Sequence, residues 1–281
     1  MIVVTGATGN IGSTLVGLLV DAGAQVRAVS RGMRPADLPA GVEHTVADLG
    51  DLDSLSPALQ GADALFLLIT GEQLMTGPEP ALLLKTAADA GIRRVVFVSS
   101  QGAVTRPQSD GYARTIAFEQ ALAESGLEWT ALRPGAFFSN TFAWIEPVRT
   151  QRVVPAPFGD IGLPAVDPAD IAAVAAVALR EEGHHGRAYT LTGPAVITPR
   201  DQAAAVAEAI DAPITFVELT VDEAKQNMLR FMPEPVADHT LTILGMPTAD
   251  EQQVSPDIEE VLGRPATTYA QWARRHRAMY A

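Results

Sequence analysis

Three glycines near the start of the chain have the spacing of a phosphate-binding turn. Gly6, Gly9 and Gly12 form the pattern G-x-x-G-x-x-G, which follows an apolar run and opens a helical pattern. Gly6 can turn sharply out of a strand, Gly9 has no side chain to block a pyrophosphate, and Gly12 lets a helix pack close to the sheet. Free N–H groups and the dipole of that helix attract phosphate. The pattern predicts a dinucleotide site, with a glycine-rich turn that binds no ligand as the alternative.

The end of the second strand pattern has a basic residue where dinucleotide-binding proteins often have an acidic one. An Asp or Glu about twenty residues past the glycine loop commonly binds the ribose 2′-hydroxyl of NAD. Ser30 and Arg31 occupy that place here, with Arg34 nearby. A guanidinium group suits a 2′-phosphate, and no carboxylate stands there to repel it. The sequence therefore predicts NADP(H) as the cofactor, with Arg31 on the 2′-phosphate; a surface arginine without a ligand is the alternative.

Asp48 and Leu49 follow the third strand pattern. A carboxylate at this place can accept a hydrogen bond from the adenine amino group, while the leucine packs on the ring. Asp48 could equally cap the helix predicted to begin near Leu52, because a short acidic side chain suits that position. The sequence leaves both roles open.

Apolar runs alternate with helical patterns through the first half of the chain. Strand patterns occupy residues 2–5, 25–29, 43–46, 64–69, 95–99 and 129–133, and helical patterns occupy residues 11–22, 52–59, 80–90 and 112–125. Continuous apolar strands separated by helices indicate a parallel sheet that is covered on both faces. Because crossovers are right-handed, the predicted fold class is α/β, a doubly wound parallel sheet of the Rossmann kind.

The pattern changes after Pro134. Helices are predicted over residues 169–179, opened by Asp167 and Pro168, and from Thr198 to near residue 210; strands are predicted over residues 187–191 and 214–218. The remainder is mostly helical. We predict an NADP-binding Rossmann domain over residues 1–150, whose sheet residues 187–191 can complete. A smaller mixed α/β region over residues 151–281 is predicted to cover the substrate.

Composition and charge narrow the classes of function. The 281 residues have a formal net charge of −13, which opposes binding of nucleic-acid backbones by the bulk surface, and they include no cysteine. Met1 leads straight into a strand pattern, and no apolar run is long enough to span a bilayer. The His184-His185 pair has no evident third metal ligand. We expect a cytoplasmic protein that binds a small-molecule substrate and no metal, nucleic acid or membrane, and a homodimer is left open.

Several short motifs together resemble one family. They are the glycine loop, Arg31 and the segments at residues 47–49, 98–100, 125–127, 130–135 and 189–194. In combination they resemble the atypical short-chain dehydrogenase/reductases, and more narrowly the NmrA-like group that includes type-2 NAD(P)H:quinone oxidoreductases. The resemblance covers nearly the whole chain. The glycine loop is shared with many reductases, whereas Leu-Arg-Pro-Gly at residues 132–135 and Leu-Thr-Gly-Pro at residues 191–194 are more specific.

This resemblance implies a cofactor that lies along the carboxyl ends of the strands. The residues implied to hold the pyrophosphate are Gly6, Thr8, Gly9, Asn10 and Ile11. The residues implied to flank the adenosine and ribose are Leu68, Ile69 and Thr70. Ser99 and the segment from Pro134 to Phe138 are implied to border the nicotinamide.

The chain departs from the larger family at the catalytic pair. Orthodox members have a Tyr-x-x-x-Lys pair, in which the lysine helps to lower the tyrosine pKa so that the hydroxyl can transfer a proton. Here Ile116 stands four residues after Tyr112, and the only two lysines, Lys85 and Lys225, are not at that spacing. A tyrosine with the ordinary pKa of about 10 is a poor base at neutral pH. Tyr112 remains the candidate catalytic residue, as a hydrogen-bond donor to a carbonyl, and capping of a loop is the alternative.

This departure favours acceptors that need little proton transfer. A quinone, an enone or an iminium carbon is already electrophilic, and water can protonate the product. Such a site needs mainly positioning and exclusion of water. Phe137 and Phe138 are predicted to form apolar walls of the substrate pocket, and Asn140 could orient a carbonyl. Ordinary core packing is the alternative for each aromatic residue.

Three functions fit these residues. The first is an NADPH-dependent oxidoreductase that reduces a conjugated small molecule, as a quinone reductase does. The second is a non-catalytic NADP(H)-sensing regulatory protein, because the NmrA-like group also includes regulators. The third, an epimerase or isomerase, usually needs the acid–base pair that is missing here. The sequence favours the first.

Overall fold

The computed structural model describes residues 1–33, 38–69, 71 and 73–281, apart from the side chain of Met75. The strands formed by these residues are β1 (Ile2–Thr5), β2 (Val26–Ser30), β3 (Glu43–Val46), β4 (Ala64–Leu68), β5 (Arg94–Val98), β6 (Glu128–Pro134), β7 (Val153–Ala156), β8 (Arg187–Leu191) and β9 (Thr215–Glu218). The α-helices are α1 (Gly12–Asp21), α2 (Leu52–Leu59), α3 (Gln73–Thr76), α4 (Pro80–Asp89), α5 (Gly102–Thr105), α6 (Ala113–Glu124), α7 (Ile145–Gln151), α8 (Pro168–Arg180), α9 (Pro199–Ile210), α10 (Val221–Met228), α11 (Glu234–Gly245), α12 (Asp257–Leu262), α13 (Tyr269–Arg275) and α14 (Arg277–Tyr280). Short 3-10 helices cover Asp110–Tyr112, Phe138–Trp144 and Asp250–Gln252.

Seven strands form one sheet in the order β3-β2-β1-β4-β5-β6-β8. Each neighbouring pair in this sheet is parallel. The predicted doubly wound α/β fold is therefore confirmed. Because the strand order reverses between β1 and β4, the carboxyl ends of these two strands border the crevice in which open α/β sheets bind their ligands.

The central strands are apolar because helices cover them. Leu65 of β4 and Phe97 of β5 belong to a buried cluster with Leu55 of α2, Leu83 of α4 and Phe118 of α6. The rings of Phe97 and Phe118 stack with their centroids 5.3 Å apart. Burial of each such side chain stabilises the fold by about 1.5–3 kcal/mol. This packing holds the carboxyl edge of the sheet in place beneath the candidate site.

The chain divides into two compact units. Unit 1 comprises Met1–Pro134, Pro168–Leu191 and Asp257–Arg264, and it contains the seven-stranded sheet. Unit 2 comprises Gly135–Asp167, Thr192–Pro256 and Pro265–Ala281. The division of function between residues 1–150 and 151–281 stays a prediction. Of the helices in the described residues, none combines the length and apolar character needed to cross a membrane.

Unit 2 has a parallel pair of strands, β7 and β9, and an aromatic core. Phe138 contacts Tyr269 edge-on with the centroids 5.0 Å apart, and the ring of Trp272 lies 6.0 Å from Phe138 and 5.2 Å from Tyr269. The Tyr269 hydroxyl donates to Thr141 Oγ1 at 2.8 Å. Burial raises the pKa of Tyr269 well above its ordinary value. This tyrosine is therefore a neutral part of the core.

Candidate functional site

The glycine loop makes the turn that its sequence predicts. Gly6 follows β1 directly and has a φ of +61°, in the left-handed region that glycine tolerates. The N–H of Gly9 donates to the carbonyl of Gly6 at 3.0 Å and closes the turn. Thr8, Gly9 and Asn10 are exposed at its tip, whereas the side chain of Ile11 is buried. The loop therefore presents backbone to solvent at the place where a pyrophosphate is predicted.

Gly12 sets the distance between the loop and helix α1. A Cβ atom on Gly12 would lie 2.2 Å from the carbonyl oxygen of Gly6, far inside van der Waals contact. Helix α1 begins at Gly12 without a side-chain cap and without an acidic residue in its first turn. Among the residues that the structure describes, no acceptor is bonded to the N–H groups of Ile11 and Gly12. These donors and the positive end of the helix fit an anionic diphosphate.

A threonine that sequence reasoning missed fixes the loop against the neighbouring strand. The Thr5 hydroxyl donates to the carbonyl of Phe66 at 2.9 Å and accepts from the N–H of Leu68 at 2.9 Å. This bridges the ends of β1 and β4. The side chain of Leu68 packs over Gly6, where a Cβ would lie 3.0 Å from Leu68 Cδ2. A buried Thr at the end of an apolar strand, directly before the first glycine, is the sequence signal for this bridge.

The residues implied to flank the adenosine and ribose differ in where the structure places them. Leu68 lies half-buried at the crevice, but Ile69 is 5% exposed and belongs to the core below it. Thr70 lies outside the described residues, as does Arg34. Their predicted roles stay predictions.

Arg31 is exposed directly after β2, at the carboxyl edge of the sheet. Within the described parts of the chain, its guanidinium group has no hydrogen-bond or ion-pair partner. The preceding Ser30 instead bonds to His44 Nε2 through its hydroxyl at 2.8 Å. An exposed cation that pairs with none of the described residues suits an added phosphate.

Asp48 does not cap helix α2, and that alternative is wrong. The cap is Asp51, whose carboxylate accepts from the N–H groups of Asp53 and Ser54. Asp48 Oδ1 accepts instead from the N–H of Gly50 at 2.7 Å and from Gln73 Nε2 at 2.8 Å. Leu49 packs half-buried against the core. Among the residues that the structure describes, both of these carboxylate contacts use Oδ1, and the contact of Asp48 with adenine stays a prediction.

A polar network lies where β5 and β6 end. The Ser99 hydroxyl bonds to Glu119 Oε1 of α6, and Arg133 Nε of β6 donates to the same oxygen at 2.9 Å. A second guanidinium nitrogen of Arg133 bonds to Glu119 Oε2. The hydrogen bonds that Arg133 donates to Glu119 raise the pKa of Arg133. Sequence reasoning included Ser99 but missed Glu119, because no local spacing relates a helix residue to the next strand.

Tyr112 packs its ring on Gly102. A Cβ on Gly102 would lie 1.9 Å from Tyr112 Cζ and 2.4 Å from the hydroxyl oxygen, so only glycine leaves room for this ring. Tyr112 ends the 3-10 turn Asp110–Tyr112 directly before α6. Gly102 opens α5 near the end of β5. The glycine therefore holds the phenol near the carboxyl edge of the sheet.

Replacement of Gly102 by Ala should displace Tyr112. We expect the variant to lose about 1–3 kcal/mol of unfolding free energy, because the new methyl group overpacks a buried contact. The measurement is urea unfolding of Gly102→Ala, Tyr112→Ala and the double variant. The double variant should lose little more than Tyr112→Ala alone, since the clashing ring is gone. Additive losses would contradict the contact.

The cations that could assist Tyr112 are engaged elsewhere. Arg114 Nε donates to the carbonyl of Gln73 at 2.6 Å, and a second guanidinium nitrogen bonds to the carbonyl of Pro78. Lys85 pairs with Asp89 of its own helix at 2.7 Å. Lys225 lies between Asp238 and Glu234, at 2.8 Å from each, and these bonds raise its pKa. Each of these three cations has a structural partner.

Apart from Ser99, the residues predicted for the nicotinamide and the substrate lie along one segment, from Pro134 to Asn140. Pro134 ends β6, and its carbonyl accepts from the N–H of Gln101 at 3.0 Å. Phe138 is 1% exposed within the aromatic core, which is the packing role that the sequence left open. Phe137 is half-buried and Asn140 is exposed. The pocket roles of Phe137 and Asn140 stay predictions, whereas Phe138 packs in the aromatic core.

The histidine pair has structural contacts. His184 Nδ1 bonds to the Tyr189 hydroxyl at 2.8 Å, and burial lowers the pKa of His184. His185 Nδ1 accepts from the N–H of Trp129 at 3.2 Å. No group of three or more residues suited to hold a metal ion occurs in the part of the chain that the structure describes.

The chain is similar to known proteins over its whole length. Residues 6–182 match a protein family described as NAD(P)H-binding. A (4-alkanoyl-5-oxo-2,5-dihydrofuran-3-yl)methyl phosphate reductase of Streptomyces griseus is 39% identical over 287 residues, which covers 100% of this chain and 99% of the relative. The NAD(P)H azoreductase of Xenophilus azovorans is 34% identical over 288 residues, with 100% and 99% covered.

One solved structure combines a similar fold with a bound cofactor. It is the NADPH-dependent quinone oxidoreductase of Escherichia coli complexed with NADPH, with a TM-score of 0.81 and 28% identity. The superposition covers 98% of this chain and 99% of that chain. The likeness therefore includes the elements that form the candidate site and those that follow it.

Proposed function

The chain belongs to a family of NAD(P)H-binding reductases, and from that premise we propose that it uses NADPH to reduce a small conjugated molecule. Membership of this family agrees with the resemblance that the sequence motifs indicated. The observation that supports cofactor binding most directly is the 2.2 Å approach between a Gly12 Cβ and the Gly6 carbonyl. Because the loop has no room for a side chain at position 12, its backbone N–H groups can bind a diphosphate.

The choice of NADPH over NADH rests on Arg31. Its exposed guanidinium group stands after β2, at the place where a carboxylate would otherwise select NAD. A planar guanidinium can bind two oxygens of a 2′-phosphate at once. Exposure of Arg31 at the carboxyl edge of the sheet supports this role, because the guanidinium group can be reached from solvent.

The proposed acceptor class follows from the lack of a lysine at the spacing that would activate Tyr112 for proton transfer. Both lysines of the chain are tied into pairs with carboxylates, and Ile116 stands at the lysine position of the orthodox pair. Bound NADPH supplies a hydride. The protein then has to orient the acceptor and exclude water rather than to transfer a proton. An acceptor whose negative charge is delocalised after hydride addition, such as an enone or a quinone, suits such a site.

The names of the relatives describe acceptors of this kind. The dihydrofuran ring in the name of the Streptomyces substrate has one carbon–carbon double bond conjugated to two carbonyl groups. The other two named relatives are an azoreductase and a quinone oxidoreductase. An activated enone, a quinone and an azo compound share a conjugated π system. We propose that acceptor class for this chain and take the enone as its first test compound.

Tyr112 is proposed to bind or orient the acceptor and not to act as a general acid. General acid–base catalysis typically contributes about 100- to 10,000-fold in rate. We therefore expect Tyr112→Phe to lower kcat/KM by less than about tenfold, the effect of one lost hydrogen bond. The measurement is steady-state kinetics of both forms with one enone. A loss of 100-fold or more would assign proton transfer to Tyr112.

The experiment that tests the function is oxidation of NADPH with a panel of acceptors. We expect steady turnover with an enone, a quinone or an azo compound and none with a simple alcohol and NADP⁺. The loop variant Gly12→Ala should abolish turnover. Binding of NADPH without oxidation by any acceptor would contradict the proposed function and favour a cofactor sensor.

A further inference from the structure

We infer that Glu119, backed by Arg133, fixes Ser99 as a hydrogen-bond acceptor toward the carboxamide N–H group of the nicotinamide. This inference rests on the proposed function, because it takes Ser99 as a neighbour of the nicotinamide. The network itself lies entirely within unit 1.

The direction of the Ser99–Glu119 hydrogen bond follows from the arginine. Arg133 bonds to both carboxylate oxygens of Glu119 through two different nitrogens. A carboxylate held in this bidentate way is ionised, and an ionised carboxylate only accepts hydrogen bonds. The proton between Ser99 Oγ and Glu119 Oε1 therefore belongs to the serine.

A serine hydroxyl has one proton and two lone pairs. Because Ser99 gives its proton to Glu119, its oxygen can only accept from a ligand. Ser99 is 8% exposed and follows β5, and its own N–H donates to the carbonyl of Leu132 at 2.7 Å. Backbone and side chain are both held, so the oxygen has one orientation at the carboxyl edge of the sheet.

The ligand group that fits this oxygen is a donor. The nicotinamide carboxamide has an N–H₂ donor and a carbonyl acceptor, and only the donor can pair with Ser99. The same polarity prevents Ser99 from donating a hydrogen bond to the carbonyl of an acceptor. Glu119 and Arg133 are positioning residues in this arrangement, since they act through Ser99.

Two cofactor analogues separate the two directions of the hydrogen bond. The 3-acetylpyridine analogue of NADP⁺ keeps a carbonyl and lacks the N–H₂ group, whereas the thionicotinamide analogue keeps the N–H₂ group and changes the carbonyl. By titration calorimetry with the wild-type protein, the acetylpyridine analogue should bind about fivefold more weakly than NADP⁺, the effect of one hydrogen bond. The thionicotinamide analogue should bind like NADP⁺.

Variants test whether Ser99 and Glu119 cause the weaker binding of the acetylpyridine analogue. In Ser99→Ala the penalty for the acetylpyridine analogue should disappear, and in Glu119→Gln it should shrink, because an amide can also donate to Ser99. Glu43→Gln is the matched control, since Arg27 Nε donates to Glu43 Oε2 at 2.9 Å on β3, an edge strand that is remote from β5 and β6 in the strand order. In this control variant the acetylpyridine analogue should bind more weakly than NADP⁺ by the same factor as in the wild type.

Failure of this inference and failure of the proposed function would give different results. If NADP⁺ and both analogues fail to bind, the proposed function and the inference both fail. If all three bind equally, or if the thionicotinamide analogue is the weaker ligand, the inference alone is wrong. The decisive comparison is between NADP⁺ and its two analogues bound to the wild-type protein. The inference can therefore be tested even if a variant fails to fold.

Discussion

Gly12→Ala should abolish cofactor binding. The added methyl group would lie 2.2 Å from the Gly6 carbonyl oxygen and 2.9 Å from the Ala7 Cα, both of which are backbone atoms that no rotamer change can move. Helix α1 and the loop must separate, and the N–H groups of Ile11 and Gly12 then leave their places. Each hydrogen bond to a charged group is worth about 1.5–3 kcal/mol, so we expect the Kd of NADPH to rise at least about 100-fold.

The same helix offers a matched control. Gly17 lies in the middle of α1, and a Cβ there would have no heavy atom within 4 Å. Gly17→Ala should raise the unfolding free energy by about 0.5–1 kcal/mol, because Ala favours the helix, and should leave the Kd unchanged. Calorimetric titration of both variants makes the comparison. Normal binding by Gly12→Ala would mean that the loop does not hold the diphosphate.

Arg31→Ala should remove the preference for the phosphorylated cofactor. A guanidinium pair with a phosphate is a charge-assisted contact, and its loss should weaken NADPH binding about 10- to 100-fold. NADH has no 2′-phosphate, so its Kd should change by less than about twofold on the same reasoning. The measurement is the ratio of the two dissociation constants at one fixed ionic strength.

Arg93 provides the control for a general loss of positive charge. It is exposed, pairs with Asp63 at 3.1 Å, and lies at the amino edge of the sheet, directly before β5. Arg93→Ala removes the same charge from a chain whose net charge is −13, and the ratio of dissociation constants should stay at the wild-type value. If Arg31→Ala weakens NADPH and NADH equally, Arg31 does not recognise the 2′-phosphate.

The first half of the fold was predictable because its signals are local. The strand and helix patterns gave β1, β3 and α2 with the bounds that the structure has, and β8 in the second half was predicted equally well. The fold class followed from the alternation of these elements and the handedness of crossovers.

The segment after Pro134 was not predictable in the same way. Its aromatic residues follow neither a period of two nor one of 3.6, and they form the 3-10 turn Phe138–Trp144, followed by α7 and β7. Phe138 therefore looked like a pocket wall, whereas it packs against Tyr269 and Trp272 from the end of the chain. Contacts between residues more than 100 positions apart leave no spacing to detect.

The candidate site likewise has one part that was predictable from local sequence and one part that was not. The glycine loop is one continuous segment, so its sequence encodes both the turn and the start of the helix. Ser99, Glu119 and Arg133 come from three elements and meet only in the folded sheet. The cap of α2 was ambiguous for a different reason, since Asp48 and Asp51 are both short acids before one helix and only their side-chain geometry separates them.

Isotope tracing tests the central claim most directly. NADPH in which both hydrogens at C4 of the nicotinamide are replaced by deuterium is supplied with the enone that the protein reduces fastest, and the product is examined by NMR and mass spectrometry. Direct hydride transfer predicts one deuterium on the carbon β to the carbonyl and a solvent hydrogen on the α carbon. Consumption of labelled NADPH without deuterium in the product, or no consumption with any conjugated acceptor, would contradict the account.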